Sequence, residues 1–132
     1  MAKITEDYCS FEVAKLLKEK GFGIKEETRG YYPIKGDATG RLMFGAEYHH
    51  NTSQVQIAAP THQMAMKWLR EVYKLSIEPY SIAIEENCIG YAYAICSCKT
   101  GLEIFAERWN GKNPFVSYEE AVEAALKYSL KI

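Results

Sequence analysis

Ser117-Tyr118-Glu119-Glu120-Ala121-Val122-Glu123-Ala124-Ala125-Leu126 opens on a hydroxyl, places a glutamate three residues on, and continues in an apolar stripe. That is how a capped helix begins. The hydroxyl accepts from a first-turn N–H, and the glutamate reaches back to another. Two earlier stretches read alike: Ser10-Phe11-Glu12-Val13-Ala14-Lys15-Leu16-Leu17 and Thr61-His62-Gln63-Met64-Ala65-Met66-Lys67-Trp68-Leu69. Each starts at a capping hydroxyl and carries an alanine (Ala14, Ala65, Ala121) four positions later. Three amphipathic helices are therefore expected. The first ends at Gly21, a left-handed cap position, with Phe22 able to fold back on the last turn. The second buries Met64, Ala65, Trp68, Leu69 and Val72. The third buries Tyr118, Ala121, Val122, Ala125 and Leu126.

Between the helices the period changes from 3.6 to 2. Strands are expected near 29–34, 41–49 and 54–58, then near 75–84, 89–98 and 102–109. Turns fall at 35–40, 50–53, 85–87 and 99–101, where Gly, Asn, Asp, Ser and Thr collect. The short connections predict antiparallel meanders. Pro79 cannot donate to a ladder, which places it at an edge or a bulge. The fold class is α+β, in the order α-βββ-α-βββ-α, with three helices on one face of antiparallel sheet. No Pro- or Ser-rich linker divides the chain, so 1–132 reads as a single domain. Half-repeats at 10–60 and 61–116 with a closing helix at 117–130 fit an internal duplication. The ordinary grammar of Ser/Thr caps and core alanines fits them equally well.

Composition narrows the function classes. The chain has 132 residues, 48% hydrophobic and 25% charged, enough for one real core. Sixteen basic and 17 acidic residues leave a net charge of -1. A protein that neutralises phosphates needs a cationic excess, so the charge opposes nucleic-acid binding. The amino-terminal residues lack a signal-peptide core, and no run approaches the roughly 18 apolar residues of a membrane span. Cytoplasmic localisation follows as an expectation, with Cys9, Cys88, Cys96 and Cys98 as reduced thiols.

The chemistry-bearing residues select no catalytic, cofactor or metal site. Cys96 and Cys98 lie two apart on a strand, and Cys88, His49 and His50 could join them around a metal. The competing reading is stronger: Ala92, Ala94, Cys96 and Cys98 form one small-residue face against which a helix can pack. His62 is either a first-turn acid–base group or a solvated residue, and the second reading is favoured. No nucleophile–base–acid pattern is visible. Lys20-Gly21-Phe22-Gly23 follows a helix rather than a strand, which excludes a phosphate loop. The ten tyrosines are the unusual count. Tyr31, Tyr32, Tyr48, Tyr91, Tyr93 and Trp109 all fall in strands. Aligned on an open face they form a contact surface, for a protein partner or for a homodimer.

The segments Ala59–Val72 (APTHQMAMKWLREV), Phe11–Phe22 and Ser117–Tyr128 (SYEEAVEAALKY) resemble a family of small uncharacterised proteins of gut bacteria and of phages or other mobile elements. The resemblance covers the helices and their lead-ins, and it carries over no activity or site residue. It implies a cytoplasmic, phage- or mobile-element-associated protein. The order α-βββ-α is also similar to the double-stranded-RNA-binding fold, but Glu119, Glu120 and Glu123 stand where that fold has a basic cluster. The expectation is a non-enzymatic protein-interaction module that self-associates or binds an unknown protein. A nucleic-acid-binding accessory protein comes second, and a small-molecule or metal-dependent enzyme third.

Overall fold

The computed structural model of the chain describes residues 7–24, 26, 28–33, 42–49, 56–107 and 114–132; the side chains of 29, 45–49 and 107 lie outside that description. The order is α1 (Phe11–Glu19), β1 (Thr28–Pro33), β2 (Met43–His49), β3 (Gln56–Ala59), α2 (His62–Trp68), a π-helical turn (Leu69–Tyr73), β4 (Leu75–Glu85), β5 (Cys88–Ser97), β6 (Glu103–Glu107) and α3 (Tyr118–Lys131). The class is α+β, with the expected alternation of helices and strand triplets. The strands form two antiparallel sheets of three. The chain groups into two compact units, 1–65 and 66–132.

In the first unit α1 begins as its sequence dictates. Val13 N–H donates to Ser10 Oγ at 3.2 Å. Its end is a Schellman motif: Gly21, at φ 100°, donates to Lys18 O, and Phe22 N–H donates to Leu17 O at 2.9 Å. Phe22 is buried along with Val13, Ala14 and Leu17. Each such large side chain contributes about 1.5–3 kcal/mol on burial. The sheet is not the expected meander. Its order is β2-β1-β3, with β3 paired to β1 from Gly30↔Ala59 to Pro33↔Gln56. The reason is core formation: pairing with β1 sets Ile57 and Ala59 beside Tyr32 and Ala14, with Phe11 packed against the group. At Gly30 the strands come so close that a Cβ would sit 2.8 Å from Ala59 O and 3.2 Å from the Tyr8 ring.

In the second unit β4-β5-β6 is the expected meander. β4 and β5 form a long hairpin, paired from Leu75↔Ser97 to Glu85↔Cys88. Asn87 takes the left-handed conformation at the turn, φ 61°. α3 packs on β4 and β5. It is capped as its sequence predicts: Glu120 N–H donates to Ser117 Oγ at 3.1 Å, and the Glu120 carboxylate accepts from Val116 N–H at 3.0 Å. The expected face of α2 is altered at its end. The π-helical turn widens the helix, brings Tyr73 edge-on to Trp68 (centroids 5.4 Å apart), and leaves Val72 exposed rather than buried. Lys74 ends the turn in the left-handed region, its N–H donating to Leu69 O.

Candidate functional site

The tyrosine surface does not assemble as expected. α3 covers the strand face that carries Tyr91, Tyr93 and Ile95. Tyr91 meets Tyr118 edge-on at 6.2 Å, and Phe105 stacks on Tyr128 with centroids 3.9 Å apart and planes 12° apart. Tyr93 lies between Phe105 and Phe115 and is 1% exposed. The physical reason is volume. α3 turns inward Ala121 and Ala125, so the sheet supplies the bulk. The aromatic face, not the small-residue face, is the one the helix covers. Tyr32 is also core: it touches Phe11 edge-on, and its hydroxyl donates to Cys9 O at 2.7 Å. Tyr31 and Tyr91 are half-buried. Tyr48 has its side chain outside the described residues, and Trp109 lies outside them entirely.

The candidate metal ligands are not brought together. Cys88 opens β5 and Cys96 lies near its end. Eight residues of strand separate them by about 27 Å, so they cannot share an ion. Cys98 is exposed beyond the strand, and the side chains of His49 and His50 lie outside the described residues.

His62 is not a solvated first-turn residue. It is 5% exposed. The cause is a contact that nothing local in the sequence announces. Residues 7–9 run antiparallel to 60–62: Cys9 N–H donates to Pro60 O at 2.9 Å, and His62 N–H donates to Asp7 O at 2.8 Å. Thr61 still caps α2, accepting from Met64 N–H at 3.2 Å. This pairing places Cys9, fully buried, with its sulfur within 4.8 Å of a ring nitrogen of His62. The Cys9 thiol points to Thr61 O at 3.9 Å. A thiol with no exposed surface is not placed to attack a substrate. Cys9 drew no attention in the sequence because its partners lie more than fifty positions away.

Three of the exposed large apolar residues of the second unit lie on the far half of the hairpin. Tyr80 is 37% exposed, Ile84 46% and Ile89 57%. From Tyr80 to Ile89 no side chain is buried. β6 pairs with β5 only from Tyr93 to Cys96, and Phe115 adds a single bridge at Tyr91. Beyond that bridge the hairpin is two strands wide among the described residues.

No family model matches the sequence, no curated protein matches it, and no solved structure matches the fold.

Proposed function

We propose that the protein is a non-enzymatic protein-interaction module whose contact element is the projecting half of the β4–β5 hairpin. One observation carries the reading: a two-stranded arm that holds Tyr80, Ile82, Ile84 and Ile89 with none of them buried. An isolated two-stranded hairpin is marginal in water, and apolar side chains on it gain from being covered. Self-association or an unidentified protein partner supplies that cover. The cytoplasmic, phage- or mobile-element setting belongs to this proposal and stands on the sequence alone. Tyr32 and Tyr93 no longer belong to the contact surface, because both are core.

The test is capture from bacterial lysate and self-association, measured for the wild-type chain and for an Ile84→Glu/Ile89→Glu variant. The variant is expected to lose both contacts while its thermal unfolding stays near wild type. Retention of every contact by a folded variant would contradict the reading.

A further inference from the structure

We propose that the arm's partner is a second copy of this chain, paired edge to edge through β4 about a two-fold axis at Tyr80. The inference rests on the interaction-module reading and names its occupant. β4 has β5 on one side and no strand on the other among the described residues.

The direction of its backbone groups follows from hydrogen bonds elsewhere in the sheet. Tyr91 N–H donates to Phe115 O at 2.9 Å, and Phe115 N–H donates to Tyr91 O at 3.0 Å. Both main-chain groups of Tyr91 therefore point away from β4. Ser97 N–H likewise turns to Leu102 O, whereas Cys98 N–H turns to Lys74 O in the line of β4. Antiparallel pairs alternate, so Tyr91 and Tyr93 form non-bonded pairs with Ser81 and Pro79. Ile77, Ser81 and Ala83 then turn their N–H and C=O groups toward the outer edge, where Ser81 and Ala83 are exposed and Ile77 is 4% exposed. Pro79 sits in the same alternation, its missing donor turned outward where no ladder bond is lost.

Those groups match themselves under a two-fold axis. With Tyr80 opposite the second copy's Tyr80, Ile77 faces Ala83, and Ser81 faces Pro79. Ile77, Ser81 and Ala83 of each copy donate to the second copy's Ala83, Pro79 and Ile77 carbonyls. Only the Pro79 donor is lacking. Centring the axis on Pro79 would oppose two prolines with no donor between them, so Pro79 rules that register out. The two Tyr80 rings, exposed in one chain, lie side by side across the axis, where the Cα atoms of a non-bonded pair approach to about 4.5 Å. Charge agrees with this alignment. The tip carries Glu85 and Glu86, the base carries Lys74, and all three are exposed. Antiparallel pairing lays each acidic tip along the second copy's Lys74. The contact is isologous and closes on itself, giving a dimer rather than a filament. A strand edge falls near or below the roughly 1,200 Å² of standard interfaces, so the dimer is concentration-dependent.

The test uses the full chain. Light scattering after size exclusion, from about 5 µM to about 500 µM, is expected to show growth from the 15.0 kDa monomer toward about 30 kDa. Ser81→Pro removes an outward donor and no bond to β5, so it is expected to stay monomeric with an unchanged circular dichroism spectrum. A second variant keeps the test decisive if that one fails to fold. Tyr80→Cys, with Cys88→Ser and Cys98→Ser to remove the exposed thiols, is expected to form a covalent dimer on mild oxidation. Two opposed Cys at that spacing meet disulfide geometry. A wild-type monomer at the highest concentration overturns the proposal. So does a dimer that folded Ser81→Pro leaves intact, or a Tyr80→Cys chain that does not cross-link. If the wild-type chain is monomeric but lysate capture still depends on Ile84 and Ile89, self-pairing fails and the interaction-module reading stands. If capture is also indifferent to them, both fail.

Discussion

The two halves of the β4–β5 hairpin share one ladder, yet their apolar side chains meet opposite fates. In the near half Ile77, Tyr93 and Ile95 are buried under α3, and β6 flanks Tyr93 and Ile95. In the far half Tyr80, Ile84 and Ile89 face water. Residue type does not separate the halves, because both are Ile- and Tyr-rich. The difference lies in what packs beside them. Among the described residues β6 pairs with β5 only from Tyr93 to Cys96, and α3 packs on one face of the sheet. Register adds to this: Tyr80 and Ile82 pair with Ala92 and Gly90, on the face opposite the one α3 covers, so exposure on the arm is set by face as well as by neighbouring elements.

The comparison breaks most sharply by truncation. Tyr93→Ala is expected to lower unfolding stability by about 3–5 kcal/mol in urea titration, as for other large aromatic deletions in a core. Tyr80→Ala at high dilution is expected to stay within about 0.5 kcal/mol of wild type, as an exposed position does. Equal losses at both would erase the distinction. A smaller effect is expected at the shoulder between the halves. A Cβ at Gly90 would lie 2.5 Å from Pro114 Cβ, a ring atom that cannot rotate aside. Gly90→Ala should cost about 1–3 kcal/mol, read as a lowered melting temperature. Asn87→Ala, at the left-handed tip position, should cost about 1–2 kcal/mol. The smallest effect has the opposite sign. Ser129 Oγ on α3 is buried with no hydrogen-bond partner among the described residues. Ser129→Ala should raise stability by about 1 kcal/mol, because it removes an unsatisfied hydroxyl from the packed side of the comparison.

Much of this fold was legible locally. Ser10, Thr61 and Ser117 announced the three helix starts, Gly21 and Phe22 the end of α1, and Asn87 the hairpin turn. Those signals act within a few residues, as capping and turn chemistry do. The misreadings share the opposite property. That β3 would pair with β1 rather than β2 depends on the core formed by Tyr32 and Ile57. That α3 would cover the tyrosine face depends on Ala121 and Ala125 making room for it. Alternation divides a strand into two faces, but it does not say which face another element will take. Residues 7–9 bury His62 and bring Cys9 to it across a sequence separation that no pattern records. The π-helical turn at 69–73 defeats a 3.6-residue wheel and turns Val72 outward. The arm itself was read correctly as two strands and a turn. Its exposure was invisible, since it follows from which stretch of the hairpin other described elements cover.

The most direct measurement is residue-resolved amide hydrogen exchange of the wild-type chain over a concentration series. The outward N–H groups of Ser81 and Ala83 face no partner strand among the described residues of one copy. They are expected to exchange fast in dilute solution and to slow as concentration rises, while the inward N–H groups of Ile82 and Tyr80 stay protected throughout. Fast exchange at Ser81 and Ala83 at every concentration would contradict the account.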